Sequence, residues 1–318
     1  MKVLVTGGAG FIGSHTLEAL RDRGDTTALL DDFNDFYDPA IKRRNAAETG
    51  AEIFAADLRD RAAVRSVLQS FRPEAIIHLA ARAGVRASIE HPRLYVDVNV
   101  NGTLNLLDEA AAAGVRRLVF ASSSSVYGNN PKVPFAETDP LESIISPYAV
   151  TKLAGENLCR IYAGLHGLSV TALRFFTVYG PRQRPDLAIS KFAHHIEAGL
   201  PIDVYGDGTS SRDYTYVGDI AAGVLAALDR LQPGFRVYNL GGDRPVTLAN
   251  LVGTVERVVS KTALIKHLPA QPGDVERTWA DVRRAREDLG YAPSVSLEEG
   301  IRRYCDWARS LAEHPVSA

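Results

Sequence analysis

Two side chains four residues apart open a route to acid–base chemistry. Tyr148 and Lys152, in Tyr148-Ala149-Val150-Thr151-Lys152, fall on one face of a helix. An ammonium beside a phenol favours the phenolate and brings its pKa down from ~10, so tyrosine becomes usable as an acid or base near neutral pH. Upstream, the apolar run Leu118-Val119-Phe120-Ala121 enters four serines, Ser122 to Ser125, then Val126-Tyr127-Gly128. A serine hydroxyl at such a strand end can hydrogen-bond a reacting alcohol or ketone. Nearer the N-terminus, Gly7, Gly10 and Gly13 have the spacing G-x-x-G-x-x-G between a strand pattern and a helical one. Small residues there permit a tight turn, close approach of backbone to a pyrophosphate, and close helix–strand packing. The helix N-terminus adds N–H groups and partial positive charge for the phosphates. Leu30-Asp31-Asp32 ends the next strand pattern. An acid at Asp31 accepts from both adenosine ribose hydroxyls and repels a 2′-phosphate, so NAD is expected over NADP. Asp57 ends the third strand pattern and is placed to face the adenine.

The elements that must position these groups alternate in type. Strands are expected at Lys2–Thr6, Thr26–Leu30, Glu52–Ala55, Ala75–Leu79, Arg117–Ala121 and Ser169–Arg174. Helices fall between them at Ser14–Arg23, Arg61–Phe71, Val100–Ala113 and Tyr148–His166. Apolar strands alternating with helices imply a doubly wound parallel sheet covered on both faces. After Phe175 the pattern loosens around Pro181, Pro185 and Pro201. Helices are expected again at Ile189–Ala198, Gly218–Leu231, Leu248–Ser260 and Leu297–Ser310, with short strands at Ile202–Val204 and Arg236–Leu240. The division expected is a dinucleotide domain over residues 1–174, with 236–240 returning to its sheet, and a smaller mixed α/β substrate domain over 175–318.

Composition narrows the function classes. The chain has 318 residues, 46% of them hydrophobic and 23% charged, with a formal net charge of −2. There is enough apolar surface to offset ordering entropy, and no basic field for general nucleic-acid binding. No apolar run approaches the ~18 residues of a membrane helix. Met1-Lys2-Val3-Leu4-Val5 enters a strand pattern without the apolar region of a signal peptide. Cys159 and Cys305 are far apart and lack metal-ligand spacing, so no metal site is expected, and they read as reduced thiols of a cytoplasmic protein.

Taken together, the glycine motif, the serine run and the Tyr148/Lys152 pair resemble the extended short-chain dehydrogenase/reductases that act on nucleotide sugars, over essentially the full length. The resemblance implies a Rossmann-type fold, bound NAD and a homodimer paired through two helices. It implies that Gly7, Gly10, Phe11, Ile12 and Gly13 hold the pyrophosphate, Asp31 and Asn34 the ribose, and Asp57 and Leu58 the adenine side. It also places Leu79, Ala80, Ala81 and Asn99 along the nicotinamide half, and gives the chemistry to Ser123, Tyr148 and Lys152, with Tyr148 and Lys152 also contacting the cofactor. Arg212 resembles a diphosphate-binding arginine, Asp274 a ribose-binding acid, and Val204-Tyr205 a uracil-contacting strand. Arg86 faces the same expected cleft. Thr278 resembles in position a bulky gatekeeper tyrosine of some glucose epimerases.

Departures from the family's branches sort the reactions. Where 4,6-dehydratases carry Asp-Glu and uronate decarboxylases a Glu, this chain has Ser124 and Ser125. Three segments resemble UDP-glucuronate 4-epimerases: Asp31 to Pro39, Arg174 to Asp186, and Gln271 to Val275. A uronate carboxylate needs donors; Arg184 offers a two-pronged fork, and Ser124, Ser125 and Thr177 offer hydroxyls. The expected reaction is 4-epimerisation of UDP-glucuronate through a 4-keto sugar. A UDP-glucose or UDP-N-acetylglucosamine 4-epimerase, a decarboxylase and an idle NAD-binding regulator stay open at this point.

Overall fold

The computed structural model describes residues 1–269 and 275–313 of the chain. The first strands and helices alternate: β1 (Lys2–Thr6), β2 (Thr26–Asp31), β3 (Glu52–Ala55), β4 (Ala75–His78), β5 (Arg117–Ser123) and β6 (Ser169–Phe175). The chain then makes the short strands β7 (Thr177–Tyr179), β8 (Pro201–Tyr205) and β9 (Ser211–Tyr216). It returns as β10 (Gly234–Leu240) and adds β11 (Pro245–Thr247) and β12 (Leu264–Leu268). Seven strands form one sheet in the order β10-β6-β5-β4-β1-β2-β3, every pairing parallel. Strand order reverses between β1 and β4, the switch point at which open α/β sheets bind ligands.

The two-residue period of a strand explains the layers. Val3 and Val5 of β1 pack with Leu17, Ile220 and Val224 on one face, whereas Leu4 packs with Val64, Leu106 and Cys159 on the other. Helices Phe11–Asp22 and Val217–Asp229 cover the first face; Arg61–Phe71, Gly102–Ala112 and Pro147–His166 cover the second. Central β4 is buried throughout, while edge strand β3 is largely exposed. A separate core joins Phe192, Ile196, Ile202, Val204, Leu251, Val255, Ile301 and Tyr304. It supports a three-stranded sheet, β11-β9-β7, and a two-stranded one, β12-β8.

Most of the expected elements are present, and the differences have physical reasons. β5 runs on through Ser122 and Ser123, because these serines pair with Arg174 and Phe175 of β6. The helix expected from Val100 starts earlier, as a π-helical turn over Asp97–Asn101 before Gly102–Ala112. There the Asn99 carboxamide bonds the backbone of Arg82 and the Thr151 hydroxyl instead of serving the helix. The helix Pro39–Thr49 lacks a sequence-level apolar stripe, and carries Pro39 at its start behind the Asp38 cap. Gln271 and Asp274 lie outside the described residues. Among the described residues no helix is long and apolar enough to cross a membrane.

Candidate active site

A cavity of about 220 Å³ opens at the switch point. Its floor is the turn after β1. Gly7 adopts φ +72, and a Cβ there would lie 2.7 Å from the Ala80 nitrogen. At Gly13 a Cβ would lie 2.1 Å from the Gly7 carbonyl oxygen. Helix Phe11–Asp22 begins at Gly10 with no side-chain cap, so its first N–H groups face the cavity without a protein acceptor from the cap residue. At the end of β2, buried Asp31 accepts from the backbone N–H of Ala9 at 3.2 Å and of Phe33 at 2.9 Å. Burial pushes the Asp31 carboxyl up, against the nearby Lys42 ammonium. Only a backbone with no Cβ fits that turn, and an acid stands one strand away. These residues fit a dinucleotide whose pyrophosphate lies on the helix N-terminus.

Gly7, Gly10, Phe11, Ile12, Gly13, Asp31, Asn34, Asp57, Leu58, Leu79, Ala80, Ala81, Tyr148 and Lys152 all line this cavity. Asn99 does not; it stands behind the wall and pins Arg82. Asn34 is tied locally, its amide donating to Asp32 and its oxygen accepting from the Phe36 N–H. Sequence reasoning missed Phe36, Tyr37, Lys42, Arg82 and Leu187, which line the same space. The Asp31-to-Pro39 segment was the available signal, but its aromatics reach the cavity only through the turn that follows β2.

The serine, tyrosine and lysine converge at the carboxyl edge of β5. Ser146 caps helix Pro147–His166 by accepting from the Ala149 N–H at 3.2 Å, which places Tyr148 and Lys152 in its first turns. Lys152 Nζ donates to the Ala121 carbonyl at 2.8 Å and lies 5.9 Å from the Tyr148 ring centroid. Ser123 Oγ hydrogen-bonds Tyr148 and accepts from the Ser125 hydroxyl at 2.9 Å. Burial raises the Tyr148 phenol; the Ser123 hydrogen bond and the Arg184 charge oppose that rise. Burial also pulls Lys152 down to about 8, against the nearby Cys159 and Glu156 groups. The Arg184 charge thus acts on the phenol as well, a contribution the sequence pattern did not show, while Lys152 stands on the same helix face. One turn beyond Lys152, buried Glu156 accepts from Ser122 Oγ at 2.5 Å and from Arg174 at 2.9 and 2.8 Å. The ion pair ties the helix bearing Tyr148 to β6, and the Ser122 bond ties it to β5.

Arg184 lies on the rim of the first cavity. Its Nε and Nη2 donate to the two oxygens of Asp186, each at 2.9 Å. Asp186 in turn lines a second cavity of about 320 Å³, with Arg86, Lys191, Phe192, His195, Tyr205 and Arg212. The Arg86 guanidinium carbon lies 5.1 Å from the Tyr205 ring centroid. Arg212 Nη1 donates to the Ser211 carbonyl at 2.9 Å. One expected position differs. The Val204 side chain is buried in the second core, so a ligand along β8 meets Tyr205 rather than Val204. Thr278 is buried too, accepting from the Asp213 N–H at 3.2 Å. Ser124, Ser125 and Thr177 flank the cleft without lining either cavity.

A doubly wound sheet with a glycine turn, a buried acid at β2 and a Ser/Tyr/Lys cluster at its carboxyl edge defines a Rossmann-type dinucleotide enzyme class. Within it, residues 3–241 match the NAD dependent epimerase/dehydratase family, and the chain belongs to that family. It is 41% identical to a UDP-glucuronate 4-epimerase of Thermodesulfobacterium geofontis, over 98% of this chain and 97% of that one. Its fold matches a UDP-glucuronic acid 4-epimerase from Bacillus cereus, solved with UDP-glucuronic acid and NAD. That match has TM-score 0.91 and 34% identity, over 98% of this chain and 100% of the other. A UDP-glucose 4-epimerase of Thermus thermophilus, solved with NAD, matches with TM-score 0.90 and 38% identity, over 97% and 99% of the two chains.

Proposed function

We propose that the chain interconverts UDP-glucuronate and UDP-galacturonate as an NAD-dependent 4-epimerase. The observation that carries this reading is that Tyr148, Lys152 and Arg184 line one cavity, with Ser123 hydrogen-bonded to the Tyr148 phenol just behind that lining. Full-length similarity to UDP-glucuronate 4-epimerases supports the uronate.

NAD, when bound, accepts a hydride from C4 of the sugar and returns it to the opposite face, so no net redox occurs. Tyr148 takes the proton from the 4-hydroxyl at its phenolic oxygen and later gives it back. Ser123 sits in the hydrogen-bond chain to that oxygen. Lys152, held by the Ala121 carbonyl, supplies positive charge beside the phenolate. Arg212 and Arg86 in the second cavity serve the UDP moiety, with Tyr205 against the base. Arg184, sharing its fork with Asp186, holds the uronate carboxylate, assisted by Ser124, Ser125 and Thr177. A 4-keto uronate is a β-keto acid, so holding that carboxylate away from the geometry that ejects CO₂ is part of the task.

The reading extends to assembly and location. Val150, Ile161 and Leu165 are 55%, 52% and 74% exposed along helix Pro147–His166, with Val96 beside them at 44%. Such a stripe supports a homodimer formed through this helix and its neighbour. Two free, buried cysteines support a reducing compartment such as the cytoplasm. The proposed division into residues 1–174 and 175–318 keeps each cavity mainly within one part.

Proton NMR of the protein incubated with UDP-glucuronate and no added cofactor tests the reaction. UDP-galacturonate without UDP-pentose is the expected product. Turnover of UDP-glucose alone would overturn the uronate assignment.

A further inference from the structure

We propose that Phe36 is a positioning residue that sets the Arg184 guanidinium for the sugar carboxylate; this rests on the uronate reading above. The segment after β2 is a run of side-chain turns, each accepting the N–H two residues on. Asp31 Oδ1 accepts from Phe33, Asp32 Oδ1 from Asn34 and Asn34 Oδ1 from Phe36, at 2.9, 3.1 and 3.2 Å. The run carries the Phe36 ring from the adenosine end of the cavity to the edge where Arg184 stands. The Arg184 guanidinium carbon lies 5.3 Å from the ring centroid, within cation–π range. Gly84, at φ +109, closes the same corner: a Cβ there would lie 3.9 Å from Phe36 Cζ and 4.0 Å from Arg184 Nη2.

Phe36 supplies what the ion pair lacks. Asp186 has a half-exposed side chain, 52% accessible, so by itself it holds the fork on a solvated tether. With Nε and Nη2 engaged by Asp186, the remaining guanidinium N–H donors meet a sugar carboxylate only in the plane of the group, and a ring against the guanidinium fixes that plane. Phe36 also lies 5.6 Å from the Arg82 guanidinium carbon, whose buried Nε has no hydrogen-bond partner. The ring therefore meets both cations at this corner of the first cavity.

The test uses the full-length NAD-loaded protein and two readouts: kcat/KM for UDP-glucuronate and the inhibition constant of UDP, which lacks the carboxylate. Phe36→Leu should lower kcat/KM for UDP-glucuronate about 3- to 30-fold per NAD-loaded molecule, the scale of one cation–π contact. The UDP constant should hold within about twofold, and Phe36→Tyr, which keeps an aromatic face, should restore the rate. If Phe36→Leu fails to fold, Phe36→Met has a similar volume and carries the same comparison. Unchanged uronate kinetics, or parallel losses in both readouts, would overturn the inference. Arg184→Ala run alongside separates the two ideas. If it leaves uronate kinetics intact, the uronate role of Arg184 fails; if it abolishes them while Phe36→Leu does not, only the Phe36 role fails.

Discussion

The glycine turn after β1 and the 181–187 loop that carries Arg184 help build the same cavity by opposite means. The turn is built of backbone: Gly7 donates its N–H to the Leu30 carbonyl at 2.8 Å, and no Cβ could enter at Gly13. The loop is anchored by side chains. Arg182 bridges Glu18 and Glu48 at 2.6 and 2.7 Å, His15 Nε2 bonds the Pro181 carbonyl at 2.9 Å, and Arg184 leans on Asp186 and Phe36. A surface made of backbone tolerates little change, as the proposed pyrophosphate site would require. A surface made of side chains can be retuned by single substitutions, as the proposed sugar-selecting half would require.

Tyr148 stands where the two surfaces meet, so its loss should have the largest effect. Tyr148→Phe should cut turnover by about 10²–10⁴ while bound NAD stays stoichiometric, as read by rate assay and absorbance. Loss of NAD together with turnover would place Tyr148 among the cofactor contacts instead. Gly13→Ala attacks the backbone surface alone. It should destabilise the fold by about 1–3 kcal/mol and yield protein without NAD, seen by thermal melting and cofactor release. Normal NAD content would show that the turn yields. Arg212→Ala attacks only the second cavity: KM for UDP-glucuronate should rise about 10- to 100-fold with NAD content unchanged.

The smallest effect concerns Asp213, beside Arg212. Its buried carboxylate accepts from Gly242, Asp243 and Ala280 N–H groups, yet burial lifts its pKa from 3.8 to about 6. Between those values the folded state binds more protons than the unfolded one. This group's contribution to stability therefore grows as pH falls from about 6 toward 3.8 and is lost again on returning to neutral pH. The difference in melting temperature between wild type and Asp213→Asn should shift in favour of wild type on going from pH 7 to pH 4.5. A pH-independent difference would mean that Asp213 titrates normally.

Legibility followed the length scale of the interactions. Gly7, Gly10 and Gly13 act within one strand–turn–helix unit, and Tyr148 and Lys152 within two helical turns, so their spacings, read together with the serine run, singled them out. The serine run could be found because an apolar strand must end at the sheet edge. Phe36, Lys42 and Arg82 were missed because their place in the cavity follows from contacts that spacing does not show: the side-chain turns of Asp31 to Phe36, the approach of Lys42 to Asp31, and the Asn99 bonds to the Arg82 backbone.

By itself, then, the sequence determined the parallel sheet, the glycine turn and the pairing of Tyr148 with Lys152 on one helix face, because strand period, glycine sterics and helical spacing are properties of contiguous residues. Only the tertiary structure decided that the Arg184 charge reaches the Tyr148 phenol, and that both nitrogens of its fork bond Asp186. Electrostatics and burial act through space, and the groups concerned, Tyr148 and Arg184, come from segments that only folding brings together.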